Sequence, residues 1–296
     1  MNYGIKGGKM IEVSLKSSDL VYLSISLLEV PNPRAIIQII PGFKEHKERY
    51  YEFANYLNTF GFSVVISDIR GHGKSINGSY PLGYIDDYQK LINDQIIITN
   101  YIKNRYGNIP IFLLGDSLGV EISMGYIEKN DLNIQKLILC SPIKPNKNLN
   151  IWLNTINLSL KFQKDKVNSL FQGAIGLDKI DNLFQDINAK NIFKNDELCN
   201  FGYTNMAIKN LLLLNKEVMS LNSYSPQNKN LPILILYGML DNEISGKEGV
   251  LQIISVLNKI GYQNIENIEY PNMYHKILFE GARKLVYDDI IKFLIK

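Results

Sequence analysis

Strand-length apolar runs alternate along this chain with longer segments of helical periodicity, and that alternation limits the fold more than any other feature. Such runs lie at 35–40, 62–67, 109–114, 136–140, 233–237 and 265–270, and several are apolar throughout. Between them, apolar residues recur three or four positions apart at 50–60, 84–106, 118–129, 246–260 and 281–295. Gly61, Gly107 and Gly261 stand where helices of this kind end. A strand apolar on both faces needs cover on both faces. The pattern therefore predicts an α/β fold: a mostly parallel central sheet with helices on either side. Residues 13–28 alternate loosely and predict one or two antiparallel strands that turn near 17–19. The rhythm breaks once. Residues 143–228 hold amphipathic pieces and no strong strand run. The expected organisation is a sheet domain built from 1–142 and 229–296, with an inserted helical cap at 143–228.

Composition excludes several classes of function. The 296 residues are 46% hydrophobic and 21% charged, enough apolar mass for a sizeable core and too much for a disordered chain. The 32 Lys and Arg exceed the 29 Asp and Glu by only three charges, which gives no bulk attraction for nucleic acid or an anionic membrane. The first ten residues lack a signal peptide's apolar core, and no run approaches the roughly 18 apolar residues of a membrane span, so a cytoplasmic location is expected. Cys140 and Cys199 are too few for a disulfide framework or a zinc site. No phosphate loop, dinucleotide fingerprint or His–Glu metal motif appears, Gly4 to Gly8 lacking a preceding strand, so neither a cofactor nor a metal is expected. Proton chemistry by imidazole has three candidates, His46, His72 and His275.

One stretch reads as a nucleophile site. The strand at 109–114 runs into Gly115-Asp116-Ser117-Leu118-Gly119, and a helical pattern follows. A nucleophile exposed on a sharp strand-to-helix turn needs neighbours without side chains two positions either side, and the helix start favours developing negative charge. A serine hydroxyl then needs a base, and the base an orienting carboxylate. In the strand–turn–helix setting these follow in the order Ser, acid, His. Asp241 falls just past the strand at 233–237, and His275 just past that at 265–270, so all three lie at one edge of the sheet. Asp116 and Glu243 are weaker rivals for the acid.

These residues resemble the α/β-hydrolase superfamily, and within it the monoacylglycerol lipase and lysophospholipase branch grouped with serine aminopeptidase-type hydrolases. That branch carries a His-Gly-x-x-Glu-His-x-x-Arg-Tyr block, and this chain has Pro41-Gly42-Phe43-Lys44-Glu45-His46-Lys47-Glu48-Arg49-Tyr50. It also carries Asp-x-Arg-Gly-His-Gly-x-Ser, matched by Asp68-Ile69-Arg70-Gly71-His72-Gly73-Lys74-Ser75. The likeness covers about 35–142 and 231–296. It implies an oxyanion hole formed by the backbone N–H groups of Phe43 and Leu118, and loop-shaping roles for His46 and His72. Two stretches depart from the pattern. Pro41 replaces the block's first His, and the elbow has Asp116 and Val120 where the branch has His and Gly. Asp116 either sits beside the nucleophile, facing substrate, or joins a hydrogen-bond network behind the elbow.

The resemblance implies a serine hydrolase that cleaves a carboxylic ester with one acyl chain, such as a monoacylglycerol or lysophospholipid. The cap supplies Trp152, Leu153, Phe162, Phe171, Phe184, Phe193, Phe201 and the run 211–214 for an acyl pocket or for ordinary helix packing. Transient membrane contact through the cap is consistent with such substrates. The alternatives are a peptidase or thioesterase of the same fold and a non-catalytic binding protein, though this chain keeps all three triad members. The letters Gly-Asp-Ser-Leu also match the GDSL esterases. Those place the motif near the N-terminus and an Asp three positions before the His, where this chain has Asn272. A dehalogenase-type acid nucleophile is excluded because Gly115 and Gly119 centre the elbow on Ser117.

Overall fold

The computed structural model describes residues 9–19, 21–163, 165–175, 182–241 and 246–296. Gly4 to Gly8 and Glu243 lie outside the described residues. An antiparallel ribbon of β1 (Lys9–Lys16) and β2 (Tyr22–Glu29) opens the sheet, with Lys16 opposite Tyr22. It pairs antiparallel to β4 (Ser63–Ser67). The remaining strands, β3 (Ile36–Ile40), β5 (Ile111–Asp116), β6 (Lys136–Cys140), β7 (Ile233–Gly238) and β8 (Ile265–Tyr270), run parallel to β4. The order is β1-β2-β4-β3-β5-β6-β7-β8.

Every residue of β3, β4, β5 and β7 is buried, whereas β1 and β8 expose alternate, often charged, positions. That contrast suits central strands covered on both faces and edge strands that must resist further pairing. Alternate side chains feed two cores. Ile36 and Ile40 join the core under α2 (Tyr88–Tyr106), α3 (Leu118–Asn130) and α8 (Gly246–Ile260). Ile37 and Ile39 join that under α1 (Tyr51–Asn58) and α9 (Arg283–Ile295).

Some boundaries differ from the sequence pattern for local reasons. The strand expected at 109–114 starts at Ile111, because Pro110 has no N–H to give the ladder; its carbonyl instead accepts from the Ile36 N–H at 2.8 Å. The helix expected from 84 starts at Tyr88, where the Asp87 side chain caps it through the Gln89 N–H at 2.9 Å. The last helix starts at Arg283, two residues later than its periodicity indicates.

Between β6 and β7 the described residues form no strand. They form α4 (Leu149–Gln163), α5 (Ser169–Gln172), α6 (Ile187–Asn195) and α7 (Asn205–Val218). The last of these packs against both α4 and α3, which brings the helical segment onto the sheet domain beside the elbow.

Candidate active site

The elbow is a strained turn built at the end of β5. Ser117 has φ 54° and ψ −112°, a backbone state that costs a non-glycine residue about 1–3 kcal/mol. Close approach of the chain explains the flanking glycines. A Cβ on Gly115 would meet the Gly119 carbonyl oxygen at 2.2 Å, and one on Gly119 would meet that of Ile40 at 2.1 Å. The Ser117 N–H donates to the Cys140 carbonyl at 2.8 Å, which ties the turn to β6.

The loops after β7 and β8 are stitched together by main chain. Met239 N–H donates to Tyr270 and Leu240 N–H to Met273, each at 3.0 Å. Gly238 permits this, because a Cβ there would strike the carbonyl oxygens of Tyr274 and Met273 at 2.2 and 2.3 Å. The crossing brings Asp241 and His275 together. His275 Nδ1 lies 2.6 Å from Asp241 Oδ2, and His275 Nε2 lies 2.7 Å from Ser117 Oγ. A carboxylate can only accept, so Nδ1 carries the hydrogen and Nε2 is left to accept from the serine hydroxyl. Ser117, His275 and Asp241 are all buried. This relay holds a hydroxyl proton against a base, and the base against a fixed negative charge, the arrangement acyl transfer requires.

Leu118 opens α3, so its N–H has no carbonyl one turn back to bond. Phe43 stands in the loop that packs on the same helix start. The loop is anchored by Tyr50, whose hydroxyl accepts from the Gly42 N–H at 3.0 Å and donates to Asp116 Oδ2 at 2.6 Å. Asp116 is therefore in the network behind the elbow, not on the substrate side. Burial, chiefly, raises its pKa, and burial likewise pushes the Tyr50 phenol well above its ordinary value.

Further charges are buried behind this loop. Lys276, next to the histidine, places Nζ 2.9 Å from Glu45 Oε1, and Glu45 also pairs with Arg49. Burial opposes ionisation of Glu45, but Arg49 and Lys276 outweigh it and hold the carboxyl below its usual range. The Arg49 guanidinium lies between the rings of Phe279 and Phe193, 4.7 and 5.2 Å from their centroids.

His46 and His72 are structural tethers. His72 Nδ1 donates to the Arg70 carbonyl at 3.1 Å, and Nε2 accepts from the Tyr203 hydroxyl at 2.6 Å. Burial lowers its pKa to about 4, which keeps it neutral. Tyr203 also accepts from the Lys44 N–H at 3.2 Å, so the helical segment reaches the loop that carries Phe43. His46 Nε2 meets Asp196 Oδ2 at 2.8 Å. Among the described residues, His46, Asp196 and Cys199 are the one group whose ligating atoms converge as a metal would need. Both Asp196 oxygens are already engaged, Oδ1 by the Leu198 N–H at 2.9 Å and Oδ2 by His46.

Two concavities flank this region. The larger, about 720 Å³, lies on the outer surface between α1, α6 and α9; none of Ser117, Asp241 and His275 lines it or the smaller one. The smaller, about 400 Å³, is lined by Phe43, Trp152, Leu211 and Leu212, and by the buried Glu121 and Asn215. Sequence reading missed Glu121. The available signal was a lone carboxyl between Val120 and Ile122, in a helix apolar all round. Of the aromatic residues offered for an acyl pocket, Trp152 lines this cavity, whereas Phe162 is 85% exposed and lines neither. Phe193 covers Arg49.

Residues 31–282 match the serine aminopeptidase S33 hydrolase family. The rat monoglyceride lipase is 28% identical over 259 residues, covering 84% of this chain and 81% of that one. A monoglyceride lipase homolog of monkeypox virus is 37% identical over 111 residues, 38% of this chain and 39% of that one. A thermostable carboxyl esterase from Bacillus coagulans, solved in complex with glycerol, superposes with a TM-score of 0.85 at 23% identity, over 96% of this chain and 97% of that one.

Proposed function

Because the chain belongs to the serine aminopeptidase S33 family of α/β hydrolases, we propose that Ser117 is the nucleophile of an ester-cleaving reaction. The carrying observation is the unbroken relay from Ser117 Oγ through His275 to Asp241 at the strand ends. In this reading His275 takes the serine proton as Oγ attacks the ester carbonyl, and the N–H groups of Phe43 and Leu118 receive the oxyanion. His275 then returns the proton to the leaving alcohol, and water releases the acid by the same steps in reverse. Asp241 fixes the imidazole tautomer and stabilises its cation.

The substrate is a carboxylic ester with one acyl chain, a monoacylglycerol or lysophospholipid. The monoglyceride lipases among the relatives support the monoacylglycerol. Residues 143–228 serve as the cap, and it contacts lipid surfaces transiently. Along α4, Ile151, Leu158 and Phe162 are exposed at 66%, 65% and 85%, and their spacing puts them on one face. Among the described residues, no helix is long and apolar enough to cross a membrane.

A fluorophosphonate probe tests the nucleophile. The folded protein labels at pH 8 and the Ser117→Ala variant does not. Equal labelling of both would remove Ser117 from the mechanism. A panel of esters of graded acyl length then fixes the chain length accepted.

A further inference from the structure

Glu121 lies one helical turn beyond Ser117, on the same side of α3. It lines the 400 Å³ cavity that also touches Phe43. Its carboxyl is buried and joined to Asn215 of α7, whose Nδ2 donates to Glu121 Oε1 at 2.5 Å. Asn215 cannot turn freely, because its Oδ1 accepts from the Asn146 N–H at 3.1 Å. Asn146 is held in turn by a bond from its Nδ2 to the Ala174 carbonyl at 2.5 Å. Three separate parts of the helical segment thus orient one carboxyl of the sheet domain. The rest of the wall is mixed: Trp152, Leu211 and Leu212 are apolar, while Lys144, Lys147 and Asn148 are polar.

We propose that this cavity is a hydroxyl-recognition subsite, in which Glu121, oriented by Asn215, hydrogen-bonds an alcohol hydroxyl of the ester substrate. The inference rests on the ester-hydrolase reading above. The chemistry of the carboxyl selects the ligand. Burial pushes the pKa of Glu121 up to about 8, with Asn215 offsetting part of the rise, so the acid form dominates near neutrality. A quaternary ammonium would demand full ionisation of a group that burial keeps neutral. A hydroxyl suits either state, accepting from the acid or donating to the carboxylate. The hydroxyl is borne on the alcohol half of the ester, as in a glycerol, or on the acyl half, as in a hydroxy acid.

Three esters of one chain length separate these cases: 1-octanoylglycerol, ethyl 3-hydroxyoctanoate and ethyl octanoate. Each is assayed with the wild type, Glu121→Gln and Glu121→Leu. A hydroxylated ester is expected to lose about 10–100-fold in kcat/KM in Glu121→Leu, mostly through KM. Ethyl octanoate should change less than about 3-fold, which also shows that the variant is folded. Glu121→Gln, which keeps the shape and a hydrogen-bonding amide, should retain most of the preference. The hydroxylated ester that responds identifies the half that enters the cavity. An equal loss on all three esters, or no loss on any, overturns the subsite and leaves the Glu121–Asn215 bond as packing. A wild type that hydrolyses none of the three overturns the ester reading and the subsite together.

Discussion

The two sides of the loop that carries Phe43 are built on opposite principles. Behind it, Glu45, Arg49, Lys276, Asp116 and Tyr50 form a buried polar cluster in which each member meets another. In front of it, a cavity of mixed lining holds Glu121, whose hydrogen bond comes from a neutral amide. Paired buried charges bring rigidity at a desolvation cost and hold one arrangement. A carboxyl with capacity to spare is worth burying where a ligand completes its bonding. In the proposed reading, the back positions the reacting groups and the front selects what reaches them.

The largest expected effect belongs to the junction of the two sides. Ser117→Ala should lower kcat by about 10⁴–10⁶-fold in a steady-state ester assay while leaving the fold intact. A loss under tenfold would mean that the chemistry lies elsewhere. Next comes the charged cluster. Lys276→Met leaves Glu45 short of one cation in a buried site and should destabilise the protein by about 3–5 kcal/mol in urea titrations. A change under 1 kcal/mol would show the back to be as tolerant as the front.

Tyr50→Phe is subtler. It removes the acceptor of the Gly42 N–H and the donor to Asp116, a cost of about 1–3 kcal/mol. Because Phe43 follows Gly42, kcat should fall more than KM rises. A variant with wild-type kcat would separate Tyr50 from the proposed oxyanion role of Phe43.

The smallest effect is a pH dependence. His72 is held neutral with a pKa near 4, against about 6.5 when unfolded. Above pH 6.5 both states are neutral there and its contribution is constant. As pH falls from 6.5 towards 4 the unfolded chain binds the proton first, so stability drops by up to about tenfold in the unfolding constant per pH unit. His72→Gln should flatten that part of the profile. Identical slopes in both proteins would remove His72 as the source.

The sheet and its edge were legible in the sequence because their requirements are local. Six strand runs marked the sheet, and Ser117, Asp241 and His275 stood out by falling just past three of them in a fixed order. Asp116 was readable only as two alternatives, since its direction depends on Tyr50, 66 positions away. Glu121 was legible only as a carboxyl between Val120 and Ile122, not as part of a site. Its partner Asn215 is 94 positions distant, in a segment whose helices are placed by long-range packing and not by a repeating pattern. Phe162 taught the converse: an aromatic residue at helical spacing among apolar neighbours faces outward, because α4 buries Leu153 and Ile156 instead.

Ser117 has no exposed surface in this structure. If Ser117 is the nucleophile proposed above, an ester or a covalent probe reaches it only in molecules that have opened a path. The observed second-order rate constant is then the intrinsic one multiplied by the open fraction. Substitutions at the His46–Asp196 and His72–Tyr203 tethers touch no reacting atom. They should nonetheless raise or lower the labelling rates of chemically unrelated probes by one common factor, which makes that factor a direct reading of how often the site is open.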